Sequence, residues 1–173
     1  MSNLRLINET QITSSVSSVN ITDVFSADFD IYKITTNGIE DTTNTPNLII
    51  RFINSSGSVI SASNYDYAYL NMRGEVAFAE NRGTNQSYIR GFFGFSNATY
   101  SQGSVSYIFN PYSSSSYTFA LSQFSSYEAA VRSIKNIGVL KQTASMTGFQ
   151  LFDLDSTDFS EGTIRTYGLR VDS

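Results

Sequence analysis

The sequence predicts an all-β protein, an antiparallel β-sandwich of jelly-roll type with at most one short helix. Two observations predict this fold class. Short runs of aromatic and aliphatic residues recur along the chain and are separated by small polar residues. Glycine or proline stands in several of the intervening segments, where a chain reversal needs it. Because few segments have helical spacing, two packed antiparallel sheets are the expected arrangement.

The whole chain, residues 1–173, is predicted to be one domain. A length of 173 residues is within the usual range for a single hydrophobic core. With 40% hydrophobic and 15% charged residues, the composition is that of an ordered chain rather than a disordered one. The polar segments at 42–47 and 113–116 are too short to separate domains.

Individual strands follow from local patterns. The run from Leu48 to Ile53 is apolar at nearly every position, which predicts a central strand covered on both faces. Gly57 in the next segment predicts a turn, with Val59 and Ile60 starting the return strand of a hairpin.

Later in the chain, Val105, Tyr107 and Phe109 alternate with polar residues until Pro111, which is expected to end that strand. The glycines within 88–95 indicate bends or bulges. In total the patterns predict roughly nine to eleven strands.

Residues 125–137 leave two alternatives open. The segment 125–128 fits a helix capping box, and Val131, Ile134 and Ile137 continue a helical spacing. Asn136 and Gly138 would stop such a helix early. A short helix and an edge strand are equally compatible with this pattern.

The absent residue types limit the chemistry. The chain has no Cys and no His, which excludes disulfide scaffolds, thiolate metal sites and His-dependent hydrolases. A net charge of −4 provides no broad basic face for nucleic acid. No segment has the length of a membrane span or the apolar core of a secretory signal. We therefore expect a soluble protein that is not an enzyme, with no cofactor and with neither nucleic acid nor membrane as a partner.

Two groups of carboxylates are candidate sites. Asp28 and Asp30 flank Phe29 at strand spacing, and such a pair of carboxylates is the minimum that a glycosidase needs. Charges that protect an edge strand from unwanted pairing explain the two residues more simply. Asp153, Asp155, Asp158 and Glu161 form the densest acidic group, which suggests a Ca²⁺ site or a solvated turn. The spacing does not fit an EF-hand, so we expect the turn and no metal.

The best candidate interface is a stripe of Tyr65, Tyr67 and Tyr69, which alternation places on one face of a strand. Such a stripe lines a core or subunit interface, or else forms an open ligand-binding face. Arg73 and Arg82 are added to the candidate interface because they can pair with acids on a neighbouring molecule.

Five segments carry a family resemblance. They read AENRGTNQ at 79–86, YIFNPYSS at 107–114, GVLK at 138–141, TGFQ at 147–150 and GTIRTYGL at 162–169. In these segments, and over nearly its whole length, the chain resembles small virion structural proteins of tailed phages, particularly marine and cyanobacterial phages. The family has no catalytic residues that the resemblance would assign to positions of this chain.

What the resemblance implies is a place in a virion, reached after synthesis in the cytoplasm of the infected bacterium. The leading expectation is a capsid decoration (cement) protein that forms a homotrimer and binds the major capsid protein on the outer shell. The alternative is a tail-fibre or receptor-binding domain that recognises host-surface glycans. A hydrolase of cell-wall polysaccharide is a distant third.

Overall fold

The computed structural model describes residues 3–41, 48–92, 102–127, 130–154 and 158–170. Within these ranges there is no helix, and the chain forms twelve strands. The strands are β1 (Leu4–Ile12), β2 (Ser18–Ile21), β3 (Ile31–Asp41), β4 (Leu48–Asn54), β5 (Tyr65–Arg73), β6 (Ala79–Gln86), β7 (Ile89–Arg90), β8 (Gly103–Phe109), β9 (Thr118–Tyr127), β10 (Val131–Leu140), β11 (Met146–Asp153) and β12 (Phe159–Leu169).

The strands make two antiparallel sheets that pack together as a β-sandwich. The large sheet has eight strands in the order β1-β12-β3-β8-β9-β10-β5-β6. The small sheet has four strands in the order β2-β11-β4-β7. The chain passes between the sheets repeatedly, so most sheet neighbours are distant in sequence. The predicted sandwich class is therefore confirmed.

Aromatic side chains fill the space between the sheets. The Phe25 ring lies against Tyr32 of the large sheet, with centroids 4.7 Å apart, and against Phe149 of the small sheet at 5.9 Å. Phe52 and Tyr65 stack across the sandwich at 6.3 Å. Edge-to-face and offset contacts of this kind add to the burial of apolar area, so this cluster joins the two sheets.

The small sheet has its central strand where the sequence predicted it. β4 lies between β11 and β7, and Ile50 and Phe52 belong to the core between the sheets. On the other face of the same strand, Ile49 and Ile53 are also fully buried. An apolar run of this kind is a strand covered on both sides, as predicted.

The turn after β4 is also confirmed, although the hairpin is short. Gly57 has a φ of +78°, which glycine adopts without strain, and its N–H donates to the Asn54 carbonyl. Val59 forms a single bridge with Ile53, and the Ile60 N–H donates to Phe52. The chain then leaves the small sheet and enters β5 of the large one.

At the end of β8 the sequence prediction is accurate as well. The strand ends at Phe109, Asn110 has a φ of +54°, and Pro111 follows. Proline lacks the N–H that a further ladder hydrogen bond requires. The bend predicted near the 88–95 glycines is present at Gly91, with φ at +67°, while residues 93–95 lie outside the described ranges.

Two local expectations need correction. Of the two alternatives for residues 125–137, the strand is the correct one, since residues 131–140 form β10, but β10 lies between β9 and β5 and not at an edge. Sheet pairing on both sides overrides the weak helical spacing there. Asp28 and Asp30 belong to the turn before β3, which starts at Ile31, so they do not have strand spacing.

Candidate functional site

The tyrosine stripe of β5 faces the inside of the sandwich. Tyr65 is fully buried and Tyr67 is 8% exposed. The Tyr65 hydroxyl accepts a hydrogen bond from the Phe52 N–H and donates one to the Ile60 carbonyl, both at 3.0 Å. Burial raises the pKa of Tyr65 well above its usual value, so the phenol stays neutral. Tyr65 is a core residue that anchors β5 to β4.

The other two tyrosines continue this inner face toward its margin. The Tyr67 ring stacks on Tyr69 at 6.2 Å and on Tyr88 at 6.4 Å. Burial and the neighbouring Tyr88 raise the pKa of Tyr67. Tyr65 and Tyr67 thus pack within the molecule and form no open ligand-binding face, whereas Tyr69 is only half-buried.

The two arginines of the predicted interface lie apart. Arg73 ends β5, and its guanidinium is 3.7 Å from the Glu75 carboxylate. Arg82 is exposed on β6 and lies directly opposite Ala68 of β5. Because Ala68 alternates with the tyrosines, Arg82 projects from the opposite, outer face of the large sheet.

That outer face carries two adjacent rows of apolar side chains across the sheet. Residues directly opposite each other on paired strands share a face, so the strand registers define each row. The first row consists of Leu4, Leu169, Ile31, Phe109, Phe119 and Val139, each the register partner of the next.

The second row lies two residues further along each strand. Its members are Leu6, Tyr167, Lys33, Tyr107, Leu121, Ile137 and Ala68, again as consecutive register partners, and Arg82 ends it on β6. Lys33 is the one charged residue between Leu6 and Ala68. We call the two rows, without Arg82, the apolar band.

Several band residues are widely open to solvent. Leu6 is 50% exposed, Phe119 47%, Leu121 42% and Ile137 54%. At about 4.8 Å for each strand, the strands from β1 to β5 in the sheet order extend the band over about 34 Å. An apolar surface this long is unusual on a protein that works as an isolated molecule.

Several inward side chains of β9 and β10 are small, although Phe124, Ile134 and Leu140 on the same inner faces are large. In β9, Thr118, Ala120 and Ser122 point into the sandwich and are buried, whereas Phe119 and Leu121 point out. At Gly138 of β10 there is no space for a larger inward side chain, because an added Cβ would lie 2.7 Å from Ile89 Cδ1. The neighbouring Asn136 side-chain amide donates to the Arg90 carbonyl, which holds β7 against β10.

Ion pairs lie at the margins of the band. Arg165 Nε is 2.6 Å from a Glu9 carboxylate oxygen, and this hydrogen bond lowers the pKa of Glu9. On the other side, Lys141 Nζ is 2.8 Å from Asp66 Oδ1, which also accepts the Asn85 N–H. The hydrogen bond from the Lys141 ammonium lowers the pKa of Asp66 most, and the hydrogen bond from the Asn85 N–H lowers it further.

Near β6 the outer face is concave. The hollow has a volume of about 600 Å³. Its lining is mostly apolar and includes Phe119, Leu121, Ile137, Ala68 and Arg82. The hollow is the β6 end of the apolar band, with Arg82 contributing one of its few polar groups.

The acidic candidates do not form a site in the described residues. Asp153 is buried at the end of β11, Asp158 accepts a 2.7 Å hydrogen bond from the Ser15 hydroxyl, and Glu161 is exposed. Asp155 lies outside the described ranges. Over the described parts of the chain, no three His, Cys, Asp or Glu side chains are grouped to hold a metal ion.

The band was missed by sequence reasoning, although part of its signal was visible. Alternation places Phe119 and Leu121 on one face, but does not say which face meets the other sheet. The clue was that Thr118, Ala120 and Ser122, which alternate with Phe119 and Leu121 along the strand, are small.

Comparisons with protein-family models, with curated proteins and with solved structures find no match to this chain. Among the described residues, no helix is both long enough and apolar enough to span a membrane. A docking role is therefore argued from the geometry of the site, and a place in a virion stays an expectation from the sequence resemblance.

Proposed function

We propose that this chain is a non-catalytic structural protein of a phage virion, a capsid decoration protein that acts by docking its large sheet on neighbouring protein surfaces. The observation that carries the docking role is the apolar band on the outer face of that sheet. Apolar patches of such extent on monomers are commonly interaction sites.

The arrangement of β9 supports docking more strongly than exposure alone. A one-residue shift in register would exchange the two faces of a strand and bury Phe119 and Leu121. The observed register instead leaves both outside and is held by full pairing of β9 with β8 and β10. Such a register is expected in a protein whose outer face is covered in an assembly.

The placement in a virion is supported by the resemblance to tailed-phage structural proteins. In that setting the partners are the major capsid protein and further copies of this chain, for which the resemblance implies a trimer. A docked protein stabilises a shell because it binds assembled subunits and not dissociated ones. This role needs no cofactor and no catalytic group.

We also propose the jelly-roll form of the sandwich. In a jelly roll of eight strands, the two sheets have the orders 1-8-3-6 and 2-7-4-5. The small sheet order β2-β11-β4-β7 corresponds to the first. In the large sheet, the segment β3-β8-β9-β10-β5-β6 corresponds to the order 2-7-4-5, with the meander β8-β9-β10 in place of strand 7. Strands β12 and β1 are added beside β3.

A second candidate function, a tail-fibre or receptor-binding domain for host-surface glycans, has one observation in its favour. The hollow near β6 has the volume of a small-ligand site. Its apolar lining offers few of the polar groups that orient a sugar, however, and Tyr65 and Tyr67 are buried. We therefore rank glycan recognition below decoration.

The test compares binding of the purified chain to decoration-free capsids and to host cells. We expect saturable binding to capsids, retained in Ser125→Asp and lost in Leu121→Asp, which removes an apolar contact of the band whether the band contacts the capsid or a neighbouring copy on it. Both residues are exposed on the outer face of β9, but Ser125 lies two rows beyond the band. Binding to cells with no binding to capsids would overturn the decoration role and favour the receptor-binding role.

A further inference from the structure

We propose that the apolar band is covered by the same band of another copy of this chain. The inference rests on the proposed docking role, since it names the partner of that same surface. Three properties of the band carry it, namely its extent, the charges around it and its shape.

The extent of the band suits a stable contact between copies. Successive residues on one face of a strand are about 6.8 Å apart, so two rows along the band cover on the order of 460 Å². With one flanking polar row as a rim, the footprint rises to on the order of 700 Å². A standard interface buries about 800 Å² on each partner.

The charges around the band favour an uncharged opposing surface. Glu9 and Arg165 neutralise each other at one margin, and Asp66 and Lys141 do so at another. These charges have partners within the chain and do not need them from another molecule. A partner that is equally apolar and equally neutral at its margins fits such a surface, and the band of a second copy has these properties.

Overall charge would otherwise keep copies apart. The chain carries a net charge of −4, which opposes close approach of two copies. Between Leu6 and Ala68 the band contains no carboxylate, and its one charged residue is Lys33. The long apolar stem of a lysine can lie along the contact while its ammonium reaches water.

The shape of the band allows it to match itself. It is two rows wide from β1 to β10, narrows to Ala68 on β5, and so crosses every strand of the large sheet except β6. A two-fold axis between two facing sheets superposes one strip on another, in the manner of aligned sheet packing.

Light scattering on the full chain after size exclusion tests the proposal. We expect the wild type to have a molar mass of at least twice 19.1 kDa at micromolar concentration. Leu121→Asp should reduce the mass to that of one chain, because the carboxylate would be buried against apolar side chains. Ser125→Asp, with the same new charge on the same strand, should keep the wild-type mass.

A second measurement does not depend on introducing charge. The chain has no cysteine, so Ile137→Cys and Ser125→Cys each introduce a single thiol. We expect the thiol introduced by Ile137→Cys to react several-fold more slowly with a maleimide as protein concentration rises. The thiol introduced by Ser125→Cys should react at a constant rate.

The proposal is overturned if the wild type has the mass of a single chain at all concentrations, or if the Ile137→Cys thiol reacts at a constant rate. Capsid binding separates this result from the docking role. A single-chain protein that still binds capsids through Leu121 would end the self-association proposal and leave decoration intact. An oligomer that ignores capsids would do the opposite.

Discussion

Strands β9 and β10 carry large apolar side chains on both faces. Toward the core they place Phe124, Ile134 and Leu140 together with the small residues Thr118, Ala120, Ser122 and Gly138, while Leu121 and its neighbours face solvent. β4 of the small sheet, by contrast, has apolar residues buried on both faces. The large sheet therefore has the composition of a sheet covered on both faces, although the single chain covers only one.

This difference teaches that small inner residues and large outer residues have separate causes. The inner side chains are small where β7 approaches closely, as the short distance from Gly138 to Ile89 shows. The outer ones form a surface that an assembly can bury. Changes on the two faces should therefore have different effects, inner changes on stability and outer changes on association.

The largest expected effect is on the inner face of β5. Tyr65→Ala should lower the free energy of unfolding by about 3–5 kcal/mol, because it empties a fully buried aromatic site. Leu70→Ala, on the outer face of the same strand, should lower it by less than about 1 kcal/mol. Urea unfolding followed by circular dichroism measures both, and equal losses would contradict the contrast between faces.

A smaller loss is expected from filling space on the inner face of β10. Gly138→Ala should cost about 1–3 kcal/mol, because the new methyl group meets Ile89. Ile89→Ala should cost less in the Gly138→Ala background than in the wild type. A double-mutant cycle of urea unfolding measures this coupling, and strictly additive losses would show that Ile89 is not the cause.

Removing one hydroxyl isolates the polar part of the Tyr65 anchor. Tyr65→Phe should cost about 1–2 kcal/mol, because the Phe52 N–H and the Ile60 carbonyl lose their partner in a buried site. The matched control is Tyr107→Phe on the outer side of β8. Thermal unfolding of both variants measures the difference, and an unchanged midpoint for Tyr65→Phe would mean that water replaces the hydroxyl.

The smallest effect concerns the ion pair at the margin of the band. Lys141→Met should raise the pKa of Asp66 toward its usual range, which a carboxyl NMR titration measures. Because the folded pKa is lowered, the contribution of this pair to stability is present above the ordinary pKa of an aspartate. It is lost as pH falls through the lowered value.

The thermal midpoints of the wild type and Lys141→Met should therefore differ at neutral pH and converge in acid. Asp66→Asn serves as the control background, because its side chain cannot ionise. The thermal midpoints of Asp66→Asn and of the Asp66→Asn/Lys141→Met double variant should show no such convergence in acid. A difference that persists unchanged in acid would mean that Lys141 acts through packing and not through charge.

Patterns that depend on neighbouring residues were predictable from the sequence. Such patterns identified the doubly covered strand at Leu48, the Gly57 turn and the strand end before Pro111. What alternation cannot give is the direction of a face, because either side of a strand can meet the second sheet. For this reason the sequence pattern indicates a surface at the tyrosine stripe, which is largely core in the structure. The same pattern gives no indication of the exposed face that carries Leu121.

Pairing between distant segments was equally out of reach. The strand character of 131–140 depends on β9 on one side and β5 on the other, and β5 is far away in sequence. The Asp28 turn likewise reflects the packing of Phe29 against Gly168 of β12, where an added Cβ would lie 2.6 Å from the Phe29 ring. Local sequence contains neither contact.

The most direct test of the apolar band as an interface is hydroxyl-radical footprinting of the chain, dilute and then assembled with itself or with capsids. We predict that Phe119, Leu121 and Ile137 become several-fold less reactive on assembly. Phe78 and Tyr127, which are exposed outside the band, should keep their reactivity. Unchanged labelling of the three band residues in every assembled state would contradict the account.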